Sequence, residues 1–235
     1  MIRAIILDLD GTLADTEPIH FAAFAEVLAS EGIELTREEY FARLIGYDDR
    51  DCFTVVLTER GRAADEAAIA ALVARKAAVY QKLIAERDVL YPGAAEFVRR
   101  CAERFPLAIA TGTLRVEADM ILRRAGLKEL FVDIVAAEDV EHGKPAPEIF
   151  ITALGRLGFI LRSRPPIEPA ECLVIEDTVA GVRAARAAGM RVLGLAQSAG
   201  QSELAEADLV RQSLAATDLD DILRRLSTVS ASNST

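Results

Sequence analysis

Ala4-Ile5-Ile6-Leu7-Asp8-Leu9-Asp10-Gly11-Thr12 is an apolar run that closes on two carboxylates and a glycine. Four consecutive apolar residues without a polar alternation describe a strand buried on both faces, the pattern of a parallel sheet covered by helices. Similar runs recur at 106–111, 133–137, 172–175 and 191–195, with helical stretches between them. That alternation predicts an α/β fold, a doubly wound, Rossmann-like parallel sheet.

Boundary signals sharpen the outline. Proline and glycine at Pro92-Gly93 suit a helix start, and Gly189 suits the left-handed end of a helix spanning 179–188. Between 16 and 87 the strand pattern vanishes and apolar residues take helical spacing, as in Phe21, Phe24, Ala25, Leu28 and again in Ile69, Leu72, Val73, Lys76. The expected organisation is a core of residues 1–15 and 88–226, a small inserted helical cap of 16–87, and a polar, frayed tail at 227–235. Residues 158–169, with three prolines and two arginines, read as a long loop of no evident role.

The chain has 235 residues, a formal charge of −10, half of its residues hydrophobic and no tryptophan. An ordinary self-sufficient core is expected, and nonspecific binding to nucleic acid or anionic membrane is disfavoured by long-range repulsion. Cys52, Cys101 and Cys172 are odd in number and widely spaced, which indicates neither a disulfide framework nor a zinc site. Met1-Ile2-Arg3 leads straight into a strand-like run, unlike a signal peptide or membrane span. A cytoplasmic, monomeric protein is the expectation.

Asp8 and Asp10 stand two residues apart at a strand end, so extended geometry points both the same way. Such a pair is costly without a cation; Mg²⁺ would supply one through hard oxygen ligands, with one carboxylate as nucleophile and the other handling a proton. Gly11 permits a tight turn, and the alternative is that the pair merely ends a buried strand with an Asp-Gly turn. Three further strand ends carry matching chemistry. Thr111-Gly112-Thr113 offers a hydroxyl and backbone N–H groups to a phosphoryl oxygen, or else a helix cap. Lys144, on a loop stiffened by Pro145 and Pro147, would offset anionic repulsion, or else is a solvated loop lysine. Glu176-Asp177 closes the run at 172–175, where capping explains one carboxylate and a metal explains both, with Asp177 a ligand and Glu176 a ligand or its support.

Asp8-x-Asp10-Gly-Thr12, Thr111, Lys144-Pro145 and Glu176-Asp177 match in order the four motifs of the haloacid dehalogenase superfamily, which the chain resembles over roughly residues 4–196. That resemblance implies a Mg²⁺-dependent phosphotransferase working through an aspartyl-phosphate. Asp8 would be the nucleophile and Asp10 the general acid/base. Gly11, Thr12, Thr111, Gly112 and Lys144 would hold phosphate, and Mg²⁺ would sit on Asp8, the Asp10 carbonyl and Asp177. The superfamily's dehalogenases lack the second aspartate, so Asp10 argues against dehalogenation. Asp15-Thr16-Glu17-Pro18 with His20 resembles the subgroup whose cap follows the first motif, which includes phosphatases of sugar phosphates and phosphoglycolate and β-phosphoglucomutase.

A phosphatase acting on a small phosphorylated metabolite is the expected activity. A phosphosugar mutase is the alternative, because His20, Gly46-Tyr47-Asp48-Asp49-Arg50 and Lys76 fall where the mutase has cap residues. Against it, the loop arginine stands one position late, at Arg50, and Arg115 lies in a segment that in the mutase is small and polar. Lys76, on an apolar helical stripe, is also expected to extend its ammonium to solvent. A third reading is a non-catalytic protein that kept the fold.

Overall fold

The computed structural model describes residues 1–44, 47 and 49–232, the last five of these by backbone alone. The chain divides into two compact units, Met1–Asp15 with Asp88–Thr235, and Thr16–Arg87. In chain order the elements are β1 (Ala4–Leu7), α1 (Glu17–Ser30), α2 (Arg37–Arg43), α3 (Asp49–Glu59), α4 (Glu66–Glu86), α5 (Ala94–Ala102), β2 (Leu107–Ala110), α6 (Arg115–Arg124), β3 (Phe131–Val135), α7 (Glu148–Leu161), β4 (Cys172–Glu176), α8 (Val179–Ala187), β5 (Arg191–Leu195), β6 (Leu209–Arg211) and α9 (Leu219–Ser232).

The larger unit is the doubly wound parallel sheet that the apolar runs predict, ordered β3-β2-β1-β4-β5-β6. Both faces are covered, which is why the strands read as unbroken apolar runs. Ala4 and Ile6 share a core cluster with Ile149, Phe150, Ala153 and Leu157 of α7 and Val182 and Ala185 of α8. Ile5 and Leu7 alternate to the opposite side and are equally buried. Each such fully buried Leu, Ile or Phe contributes about 1.5–3 kcal/mol of transfer free energy.

Three boundaries differ from the sequence reading. β3 ends two residues early because the Ala136 N–H leaves the ladder for the Asp139 carboxylate, at 2.8 Å. β6 is a three-residue edge strand, too short to show a period. The stretch 158–169 is not one long loop: α7 continues to Leu161 and only then turns, at Arg162 with a left-handed φ of 50°. Helical continuity outweighs the roughly 1 kcal/mol that Gly158 costs. Two of the three prolines are tied to the start of β1, where Arg3 donates to the Pro166 and Pro165 carbonyls at 2.8 and 3.0 Å. The α9 backbone runs on to Ser232, into the stretch whose composition suggested a frayed tail; residues 233–235 lie outside the described residues.

The smaller unit is a helical bundle with its own core. Phe24, Val27 and Leu28 of α1 meet Tyr40 of α2, Phe53, Val56 and Leu57 of α3, and Ile69 and Leu72 of α4. Thr36 and Asp65 cap α2 and α4 by accepting the N–H groups of Glu39 at 3.1 Å and Ala68 at 2.9 Å. Cys52, Cys101 and Cys172 are buried free thiols. No helix among the described residues is long and apolar enough to cross a membrane.

Candidate active site

Strand order and register bring the four motif segments to one edge. In a doubly wound sheet the crevice opens at the carboxyl ends of the strands where connections diverge, here between β1 and β4. Leu7 pairs with Ile175 and Ile109, so the chain passes its last paired residues at one level. Just beyond, the Asp8 N–H donates to the Ile175 carbonyl and the Thr111 N–H to the Val135 carbonyl, both at 3.0 Å.

Lys144 bridges two buried carboxylates, 2.5 Å from Asp8 Oδ1 and 2.5 Å from Glu176 Oε1. Its loop is held by Glu148 in the first turn of α7, which accepts the N–H groups of Glu141 at 2.8 Å and His142 at 3.0 Å. The other oxygen of Glu176 accepts from the Asp177 N–H at 2.9 Å, the Thr178 N–H at 2.8 Å and the Thr178 hydroxyl at 2.9 Å. Capping of α8 falls to Thr178, whose hydroxyl accepts the Gly181 N–H at 3.0 Å. A Cβ on Gly181 would lie 1.9 Å from the Glu176 carboxyl carbon, so this position accommodates only glycine.

Asp177, 1% exposed, accepts the Thr12 hydroxyl at 2.9 Å and a bond from Ser198. Gly11, with φ +78°, lies so close that a Cβ there would be 2.1 Å from Asp177 Oδ2. Asp10 accepts the Thr111 hydroxyl at 3.2 Å and the Thr113 hydroxyl. Thr111 also accepts the Thr113 N–H at 3.1 Å, and since α6 begins only at Arg115, Thr111 is not a helix cap.

The charges at this edge are crowded. Burial first, then the carboxylates of Glu176, Asp177 and Asp10, raise the Asp8 carboxyl well above its ordinary range against the opposing pull of Lys144. Burial and then Glu176 push Asp177 up to about 6. Burial works against the Lys144 ammonium, but Asp8 and Glu176 outweigh it and lift the group above its usual value.

Not every candidate joins this edge. Gly112 is exposed, with nothing within 4 Å of where a Cβ would be. Arg115 is held by Asp139. Arg50 makes an exposed pair with Glu66 at 3.3 Å. Gly46 and Asp48 lie outside the described residues. Lys76 corrects the sequence reading: its side chain is 3% exposed, not extended to solvent, and its ammonium donates to Asp49 Oδ1 and to His20 Nδ1, each at 2.8 Å. The rings of Phe24 and Tyr80 lie 4.8 and 5.0 Å away, so the cation is enclosed where a stripe position alone suggested a snorkelling stem.

Because an ammonium only donates, His20 Nδ1 must accept and the ring proton sits on Nε2. Burial and then Lys76 lower the His20 pKa from 6.5 to about 3. The unfolded chain therefore takes up this proton first. Stability is full above about pH 6.5 and is lost as the pH falls towards 3, with a slope of up to about 1.4 kcal/mol per pH unit. Melting His20→Asn beside the wild type from pH 7 to 5 should show the steeper loss in the wild type; equal slopes would remove this histidine as the cause.

The sequence reading named Thr113 only within the Thr111-Gly112-Thr113 stretch, without its bond to Asp10, and passed over Gln197 and Ser198. Gln197 Nε2 donates to the carbonyls of Gly11 at 2.7 Å and Thr12 at 3.2 Å. Its only signal was position, just past the run at 191–195 that forms the strand next to β4.

The chain matches known proteins along most of its length. Residues 2–189 match the model of the haloacid dehalogenase-like hydrolases. The chain is 34% identical to the phosphorylated carbohydrates phosphatase of Thermotoga maritima over 84% of this chain and 87% of that protein. It is 32% identical to β-phosphoglucomutase of Bacillus subtilis over 90% of each chain. Among solved structures, CbbY from Rhodobacter sphaeroides in complex with xylulose-(1,5)-bisphosphate superposes with a TM-score of 0.75 at 30% identity, covering 92% of this chain and 96% of that one. A parallel sheet whose switch point gathers the motif residues, matched along most of its length, makes this chain a member of the haloacid dehalogenase-like hydrolase family.

Proposed function

We propose that the protein is a Mg²⁺-dependent phosphatase that cleaves a small phosphomonoester, a sugar phosphate or similar metabolite, through a phosphoryl-aspartate on Asp8. The observation that carries this reading is the meeting of Asp8, Lys144, Glu176 and Asp177 at the switch point, where three segments distant in sequence are joined by short polar contacts. Asp8 is held at Oδ1 by Lys144, and its second oxygen attacks phosphorus in line with the leaving oxygen. Asp10 gives a proton to the departing alkoxide, then takes one from the water that cleaves the phosphoryl-aspartate. Thr111 and Lys144 bind the transferring phosphoryl oxygens.

The residues suit a hard divalent ion. Asp8, Asp10, Glu176 and Asp177 face one ammonium, an excess of negative charge that a cation relieves. Asp8, Asp177 and the Asp10 carbonyl would hold it, in the cradle left by the missing Cβ of Gly11. Mg²⁺ takes one or two carboxylates and keeps several waters, and Asp8 and Asp177 would supply two. When bound, the ion neutralises charge on the transferring group. Both oxygens of Glu176 are engaged, and we assign it to holding Lys144 rather than to the metal.

The helical unit serves in this reading as the cap that selects the leaving group. Resemblance to β-phosphoglucomutase keeps a mutase as the second reading. The phosphatase is placed first because Arg50 stands one position late for the mutase and Arg115 lies in a segment that in the mutase is small and polar. A screen of phosphorylated sugars and small phosphorylated acids should give inorganic phosphate that EDTA abolishes and added Mg²⁺ restores. With β-glucose 1-phosphate and its bisphosphate, glucose 6-phosphate formed without free phosphate would favour the mutase, and no turnover anywhere in the screen would overturn both.

A further inference from the structure

We infer that Gln197 and Ser198 are positioning residues that lock Asp177 and the Asp8–Thr12 loop into the arrangement that binds the divalent ion, an inference that rests on the phosphatase reading. β5 ends at Leu195, and the Ala196 N–H makes one more bond, 2.8 Å to the Arg211 carbonyl, before the chain leaves the sheet. The next two side chains then reach the loop after β1, nearly the whole chain away in sequence. The single amide of Gln197 carries two N–H groups, and its nitrogen lies 2.7 Å from the Gly11 carbonyl and 3.2 Å from the Thr12 carbonyl. It thereby staples the turn that follows Asp10.

Ser198 acts on the opposite wall. Its hydroxyl lies 2.7 Å from the place a Gly11 Cβ would occupy, beside the Asp177 carboxylate that it bonds. Asp177 thus has a hydroxyl donor from each neighbouring segment, Thr12 and Ser198, and a fixed orientation. A buried carboxylate with two neutral donors stays available for a cation, because neither donor cancels its charge. Partners of this kind orient the groups that hold a metal without touching it, and their loss typically weakens metal binding about 10- to 100-fold.

The test separates positioning from mere packing. Ser198→Ala removes the hydroxyl and Ser198→Thr keeps it, while Gln197→Leu removes the amide donors without adding a charge. Mg²⁺ binding to each otherwise intact protein is measured by titration calorimetry, with metal-free melting and phosphate release alongside. Ser198→Ala and Gln197→Leu are expected to raise the Mg²⁺ dissociation constant about tenfold or more, with Ser198→Thr close to the wild type and metal-free melting little changed. Wild-type Mg²⁺ affinity in both variants, or a loss of melting temperature alone, would overturn the inference while leaving the phosphatase reading intact. A wild-type protein that binds no Mg²⁺ would overturn both.

Discussion

Asp8→Asn is expected to abolish phosphate release, by on the order of 10⁴-fold or more, the scale on which a lost nucleophile is felt. An amide does not attack phosphorus, but its oxygen can still accept from Lys144, so the local shape is kept. Stability supplies an independent readout. Burial and three neighbouring carboxylates raise the Asp8 carboxyl well above its usual range, so its charge is a cost to the folded protein at neutral pH. The metal-free variant should therefore melt no lower than the wild type at pH 7. Rapid-quench and steady-state assays on the same samples decide the matter: a variant that keeps even a hundredth of the activity has another nucleophile.

Lys144→Met should be damaging in both respects. The ammonium lies between Asp8 and Glu176, 7% and 1% exposed at their side chains, and its removal leaves buried carboxylates facing one another. Breaking a buried pair by deleting one partner costs about 3–5 kcal/mol, because the remaining charge has lost its compensation. Turnover should fall about 10²- to 10³-fold as well, the usual loss when a charge-stabilising donor is removed. Adding Glu176→Gln should restore part of the stability but not the rate, since the neutral amide relieves repulsion without replacing the cation. Urea denaturation of the two single variants and the double variant measures the coupling. Additive losses would show that Lys144 and Glu176 do not act as a unit.

The parts of the site legible in the sequence were those that broke a local rule. A carboxylate pair at the end of a buried strand is expensive, so Asp8-Asp10 and Glu176-Asp177 point to a cation on sequence alone. Thr113, Gln197 and Ser198 broke no rule. Small polar residues are ordinary at strand ends, and their partners at Asp10, Gly11 and Asp177 stand far away along the chain. Lys76 was misread for the same reason. Its stripe position is compatible with solvent or with burial, and only a carboxylate on another helix, Asp49, together with His20 makes burial tolerable.

The sequence by itself determined the layered α/β core, the strand ends that bear the reactive groups and the helical character of 16–87. These follow from apolar periodicity and from residues adjacent along the chain. Tertiary structure alone decided that β1 lies between β2 and β4, that Lys144 bridges Asp8 and Glu176, and that the segment after β5 closes on Gly11 and Asp177. Strand order and register are global properties, set by how the whole sheet buries both faces, and hydrogen bonds of a few ångströms between distant segments exist only once that register is made.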